Sequence, residues 1–400
     1  MKKKLKIGLF GYGVVGQGVY EILTQNQNFG AEVVKICVKN RKKRRNLPEN
    51  FFTFDKDDIL LNPDIDLIIE VINNADDAFQ IITTALSNGK KVVTANKKML
   101  AEHLAELVAL QQAQNVSLLY EGSSCGSIPI IRNLEEYYDN ELLFSIRGVF
   151  NSSSNYVLSK VYNENIDFDI ALKKAQDLGF AETDPTLDLA GYDALFKLVI
   201  IAAHAYGVFV KPEEVLNAGI MNFSPFDMQF AKEKGYKIKL ISTVRKVGED
   251  KVSMFVLPEF ISDDQQLYNV EYEYNAVVVE AAFSDKQFFQ GKGAGGHPTG
   301  SAIFSDISAN MYDYKYGYKK FFQENKLSYT TDLEIEIYLR YYDENNLNHF
   351  KFEHISERYY GKDFNYVIGT IKIEHLLKIK NILNTADIQV INTGRLNNQK

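Results

Sequence analysis

The sequence predicts an α/β chain in three parts: a doubly wound parallel sheet over residues 1–130, an α+β region over 131–328 and a small α/β module over 329–400. Three observations lead there. Short apolar runs alternate with helical patterns at the start, which implies parallel strands covered on both faces. A glycine-rich turn, Gly11-Tyr12-Gly13-Val14-Val15-Gly16, follows the first apolar run and opens the first helical one. From about residue 145, strand-like runs lie between long helical stretches, the pattern of a more open sheet.

Taken in order, KIGLF (6–10), EVVKICV (32–38), LIIEVI (67–72), KVVTA (91–95) and SLLYE (117–121) read as strands. VGQGVYEILTQ, DDAFQIITTALSNG and AEHLAELVALQQAQ read as the helices between them, so handedness and connection rules give a Rossmann-type unit. In the middle region SIRGVF, VSMFVLP and YNAVVVEAAF read as strands, with helices over NYVLSKVYNE and over 193–205. GKGAGGHPTG (291–300) is a glycine-rich loop, and SAIFSDISANMYDY after it is a helix, near 301–325, expected to pack back on the first part. In the tail, the strands EIEIYLRYY, YVIGTIKI and IQVINT alternate with polar helical pieces such as FEHISERYYG and EHLLKIKNIL.

Composition narrows the function. The 400 residues are 46% hydrophobic and 24% charged, ordinary for a globular chain with real cores. A formal charge of -7 argues against a general nucleic-acid partner. No apolar run is long enough for a membrane span, and glycines break the apolar stretch after MKKKLKI that would mimic a secretory signal. The two cysteines, Cys37 and Cys125, offer no disulfide framework. A cytoplasmic enzyme is the expectation.

Several motifs carry chemistry. In the first turn, Gly11 allows a tight bend, Gly13 lets main chain approach a pyrophosphate, and Gly16 lets helix and strand pack closely; the helix start, with Val14 and Val15, faces the anion. The second strand ends without the carboxylate that grips NAD's ribose. Lys39 and Arg41 stand there instead and suit a 2′-phosphate, which favours NADP with NAD possible; a solvated basic loop is the plainer alternative. Thr94 and Lys97 fall at the carboxyl end of KVVTA, where side chains line a ligand crevice. A lysine exposed at a helix start is the alternative for Lys97. Glu121-Gly122-Ser123-Ser124-Cys125-Gly126-Ser127-Ile128 joins a strand-end carboxylate to a turn whose carbonyls suit a hard cation. Cys125 is alternatively a nucleophile or a small packed thiol.

The most informative stretch is GFAETDPTLDLAGYDALFK. Asp193 and Lys197, four apart, share a helix face among apolar neighbours, which suits a partly buried proton-transfer pair. Glu182 and Asp188 on the preceding loop suit an ammonium group, or else belong to a solvated acidic turn punctuated by Asp184-Pro185.

Together these motifs, from about residue 5 to 325, resemble the homoserine dehydrogenase family. The resemblance rests on GYGVVGQG, VVTANKKMLA, YEGSSCGSIPIIRNLEEYYDN, GFAETDPTLDLAGYDALFK and GKGAGGHPTGSAIFSD. It implies NAD(P)-dependent interconversion of L-homoserine and L-aspartate 4-semialdehyde, in the branch of biosynthesis that leads to threonine, methionine and isoleucine. It also implies a set of roles. Lys97 contacts substrate and cofactor, Glu182 and Asp193 bind the amino acid with Asp188 in support, and Lys197 relays the proton. Glu121, with carbonyls of Ser124, Gly126 and Ile128, holds Na⁺ or K⁺. Asn73, where glycines are common, and Gly295 lie near the cofactor. The resemblance further suggests a homodimer formed through the second domain and an ACT-like tail. Two departures stand out: Asn151-Ser152-Ser153-Ser154-Asn155 replaces an asparagine-glycine-threonine-threonine-asparagine stretch, and the tail lacks the Asp-x-Pro-Gly turn of an effector-binding ACT domain.

Overall fold

The computed structural model describes residues 4–385 and 387–396, and its contacts divide the chain into two compact units. The first comprises 1–137 and 292–318, the second 138–291 and 319–400.

In the first unit the strands are β1 (Leu5–Phe10), β2 (Ala31–Cys37), β3 (Phe52–Thr53), β4 (Leu67–Glu70), β5 (Lys91–Thr94) and β6 (Leu118–Leu119). They pair in the order β3-β2-β1-β4-β5-β6, all parallel. That is the doubly wound order whose reversal beside β1 opens a crevice at the strands' carboxyl ends. β4 is buried at every position, as a strand covered on both faces must be. The helices are α1 (Val14–Gln25), α2 (Asp57–Leu60), α3 (Ala75–Ser87), α4 (Lys97–Gln114) and α5 (Ile130–Glu136).

In the second unit β7 (Leu143–Val149) leads into α6 (Ser152–Glu164), α7 (Phe168–Asp177), the one-turn α8 (Thr186–Leu189) and α9 (Tyr192–Tyr206). β8 (Leu216–Asn217), α10 (Pro225–Glu233), β9 (Lys237–Val247), β10 (Lys251–Ile261), β11 (Tyr274–Ala281) and β12 (Asp285–Lys292) follow. α11 (Gly296–Asn310) then belongs to the first unit, where it packs on α1. α12 (Lys319–Phe322), β13 (Ser328–Tyr329), β14 (Glu334–Tyr341), β15 (His354–Tyr360), β16 (Asn365–Lys372), α13 (Ile373–Lys378), α14 (Lys380–Thr385) and β17 (Ile388–Leu396) complete the second unit.

One mixed sheet runs β12-β11-β7-β9-β10-β17-β14-β16-β15, with β8 and β13 also paired to β10. Thus the tail's strands continue the sheet of the middle region, and contacts give two units where the sequence suggested three parts. Its apolar residues explain this. Ile335, Ile337, Leu339 and Val390 share one buried cluster with Leu216, Phe255 and Leu257 of the middle region. Two further readings change. FEHISERYYG, expected to be helical, holds the strand β15, an exposed edge paired to β16; its tyrosines favour a pleated surface over a helix. SLLYE shortens to the two residues of β6 because Glu121 turns away into a single tight turn.

Candidate active site

Each unit carries one group of the expected residues. In the first, Gly11 adopts φ +98°, and a Cβ there would lie 2.8 Å from the Val71 carbonyl oxygen. A Cβ at Gly16 would lie 2.3 Å from the Gly11 oxygen, so this turn and α1 can approach only as glycines. Gly13 precedes α1 with no side-chain cap, which leaves the N–H groups of the first turn for another acceptor. A cavity of about 730 Å³ opens here. Gly11, Tyr12 and Gly13 line it together with Lys39, Arg41, Lys43, Arg45 and Lys56. The Arg41 guanidinium lies over the Phe54 ring at 4.7 Å, and Lys39 is paired with Asp77 at 3.6 Å. An uncapped helix start beside five cations fits a pyrophosphate and a further phosphate. Lys56 was missed in the sequence because it lies outside the 39–45 basic run; only the fold of β3 and the turn after it brings it in. Gly295, at φ +116°, precedes α11, at whose first residue, Gly296, a Cβ would lie 2.8 Å from the Val14 oxygen, so the starts of α1 and α11 adjoin.

Asn73 lies exposed after β4, and Asn74 caps α3 by accepting the Asp77 N–H at 2.7 Å. Thr94 is buried at the end of β5, and Lys97 is the first residue of α4, half-buried behind the cap Asn96. One buried acid here escaped the sequence reading. Glu70, fully enclosed at the end of β4, accepts the Thr94 hydroxyl at 2.5 Å and the Ile72 N–H at 2.7 Å. Burial pushes its carboxyl up to about 7. Nothing in LIIEVI marks this glutamate as different from one on a strand's wet face.

The sign of that shift makes a prediction. A carboxyl raised from 4.5 to about 7 by folding favours the protonated fold. Its contribution is complete below about pH 4.5 and is lost as pH rises through 7, by roughly 3 kcal/mol at most. Glu70→Gln is therefore expected to flatten the fall of Tm across that interval. An identical Tm profile in the variant removes Glu70 from it.

Glu121 is buried and accepts two main-chain N–H groups at the start of α5, from Ile131 and Arg132, each at 2.9 Å. Its own N–H donates to Asp306, which the Arg132 guanidinium also holds at 2.8 Å. Burial first, then Asp306, pushes the Glu121 carboxyl up to about 8, and burial pushes Asp306 to about 7. The Arg132 guanidinium thus bonds Asp306 directly, while Glu121 is bonded by the Arg132 main-chain N–H and feels the guanidinium only through its charge. The following turn has Cys125 and Gly126 both at positive φ, and the Ile128 carbonyl already accepts the Ile130 N–H at 2.8 Å. A carbonyl oxygen has two lone pairs, so this bond does not remove Ile128 from the expected cation donors. Cys125 is fully buried.

In the second unit the expected pair is present. Asp193 and Lys197 are 5% and 6% exposed on α9, and Lys197 Nζ donates to Asp193 Oδ2 at 2.8 Å and to the Phe150 carbonyl at 2.6 Å. Asn151 ties this pair to the loop before it. Its oxygen caps α6 by accepting the Ser154 N–H at 2.7 Å. Its amide donates to Asp188 at 2.7 Å and to Asp193 at 2.9 Å. Ser152, in place of the family's glycine, donates to Asn275 at 3.0 Å, and Asn275 in turn donates to the Phe150 carbonyl. The serine is therefore absorbed into the wall's hydrogen bonding. Glu182 is exposed on the loop after α7, where its carbonyl accepts the Gln176 amide.

A nucleotide-type crevice and a buried carboxylate–lysine pair define a class: a nicotinamide-dependent dehydrogenase. Family models described as "Homoserine dehydrogenase, NAD binding domain" and "Homoserine dehydrogenase" match residues 11–121 and 129–308. The homoserine dehydrogenase of Helicobacter pylori is 38% identical over 314 residues, 77% of this chain and 74% of that protein. A crystal structure of the Thiobacillus denitrificans homoserine dehydrogenase superimposes with a TM-score of 0.83 at 28% identity, covering 98% of each chain. A hyperthermophilic archaeal homoserine dehydrogenase in complex with NADPH gives a TM-score of 0.68 at 27% identity, covering 78% of this chain and 99% of that one.

The chain belongs to the homoserine dehydrogenase family. It is an NAD(P)-dependent oxidoreductase that acts on a CH–OH group and interconverts L-homoserine and L-aspartate 4-semialdehyde in threonine, methionine and isoleucine biosynthesis.

Proposed function

We propose that the first unit binds NADP and the second binds the amino acid, with Lys197 moving the proton. The Asp193–Lys197–Asn151 geometry carries this reading. When bound, the nicotinamide supplies the hydride that reduces the aldehyde carbon. Gly11, Gly13, Val14, Val15 and Gly16 hold the pyrophosphate, Lys39 and Arg41 the 2′-phosphate, and Asn73, Thr94, Lys97 and Gly295 complete the cofactor's surroundings. Asp193, Asp188 and Glu182 hold the substrate's ammonium end, and Lys97 adds positive charge near the reacting oxygen. Two of the three Lys197 N–H groups have acceptors among the described residues, and the third serves the substrate oxygen. Reduction consumes one proton, which Lys197 delivers to that oxygen.

The same reading extends further. Na⁺ or K⁺ at Glu121, Ser124, Gly126 and Ile128 would hold the Glu121 carboxylate ionised against the burial that favours its proton. A homodimer forms through the second unit, supported by the exposed Phe144 and Phe288 on β7 and β12. The strand and helix alternation of 329–400 supports an ACT-like origin for the tail. The free cysteines suit a cytoplasmic location, and among the described residues no helix is long and apolar enough to cross a membrane.

Consumption of NADPH with aspartate semialdehyde, followed by absorbance, tests the core of the reading. A lower KM for NADPH than for NADH is expected. Arg41→Ala should raise the NADPH KM about tenfold and leave that for NADH within a factor of two. Equal KM values in the unaltered enzyme would overturn the preference.

A further inference from the structure

We infer that the C-terminal strands brace the substrate carboxylates, with Gln389 and Arg340 as positioning residues; the inference rests on the proposed role of Asp188 and Asp193. Arg340 on β14 and Gln389 on β17 are direct cross-strand partners, and both are buried, at 0% and 3% exposure. Each reaches the same segment of the middle region. Gln389 Nε2 donates to the Gly219 carbonyl at 3.1 Å. Arg340 Nη2 donates to the Asn222 carbonyl at 2.6 Å, while its Nε lies 3.0 Å from Asp227 at the start of α10.

Segment 217–222 in turn grips the end of α8. The Ile220 N–H donates to the Leu189 carbonyl at 2.7 Å, and the Asn217 amide donates to the Ala190 carbonyl at 2.9 Å. Gly219 sits so close that a Cβ would lie 1.9 Å from the Leu189 oxygen. The two segments therefore move together, because a packed main-chain contact without slack transmits displacement. Asp188 precedes Leu189 directly, and Asn151 links it to Asp193 and hence to Lys197.

The chemistry of the pair points to a specific task. Arg340 Nη1 and Gln389 Oε1 are buried without a hydrogen-bond partner among the described residues. Buried polar atoms left so are costly, and apolar side chains of similar volume would fill this sheet face at lower cost. A polar pair here is explained by what its other atoms hold, the carbonyls of Gly219 and Asn222. The tail thereby sets where α8 ends and where the Asp188 carboxylate stands.

The test is steady-state kinetics of homoserine oxidation on the full chain. Gln389→Met keeps the volume and removes the donor to Gly219. It is expected to raise the homoserine KM about three- to ten-fold while the NADP KM and kcat stay within a factor of two. Arg340→Lys keeps the charge beside Asp227 but withdraws the reach to Asn222, and the same split is expected if Gln389→Met does not fold. An unchanged homoserine KM in the folded variant, or equal rises for both substrates, overturns the brace. Asp193→Asn is measured alongside. If it leaves the homoserine KM unchanged, the substrate-site reading fails and the brace with it. If it raises that KM while Gln389→Met does not, the brace alone fails.

Discussion

Lys197→Met is expected to lower kcat by about 10²–10⁴, the range of a positioned acid–base group. Lys197 is enclosed in an apolar helix, and its two acceptors, Asp193 and the Phe150 carbonyl, fix its ammonium on one side. Methionine fills similar space but has no proton to give. Asp193 then loses a buried partner, a change that costs about 3–5 kcal/mol in other proteins. The Asn151 amide still donates to Asp193 and moderates that loss. Tm and circular dichroism separate the two effects. A folded variant with unchanged kcat removes Lys197 from proton transfer; a fall in kcat with homoserine KM little altered assigns it to the reaction step.

Gly16→Ala carries the second large effect, on the cofactor. The new Cβ would meet the Gly11 oxygen at 2.3 Å, and main chain cannot rotate aside as a side chain does. Either α1 retreats from β1 or the Gly11–Gly13 turn opens. Overpacking of this kind costs about 1–3 kcal/mol, so the NADP KM and dissociation constant should rise by about 10- to 100-fold. Homoserine KM, measured at saturating cofactor, should move much less. Isothermal titration with NADPH checks the binding constant directly; wild-type affinity in the variant would show that the turn tolerates a side chain.

The doubly wound sheet was legible because its signals are local. β1, α1, β2, α3 and β5 each follow from an apolar period and a turn residue within a few positions. The Asp193–Lys197 pair was legible for the same reason, since a four-residue spacing on an apolar helix decides both its face and its burial. What the sequence did not yield depends on distant partners. β15 looked helical because an edge strand with both faces wet carries no alternation. The tail looked like a separate module because the pairing of β17 with β10 joins residues more than a hundred positions apart. Glu70 and Lys56 gain their significance only from neighbours supplied by β5 and β3. Asn151 is visible within a motif, but its double use, oxygen to the α6 cap and amide to two carboxylates, arises only when the fold brings α6, α8 and α9 together.

The placement of α11 has a consequence for synthesis. Residues 292–318 finish a unit whose other part ends at 137, so the whole of 138–291 is made in between. Until α11 emerges, α1 lacks the helix that Gly18 touches through Gly296, and Asp306 is not there to receive Arg132. The first unit is therefore expected to complete its fold only after residue 318 has been made, later than a unit built from one continuous segment. An N-terminal fragment is expected to give more soluble protein with α11 grafted on than without it, and a circular permutation that begins the chain at 292 would let this half mature first.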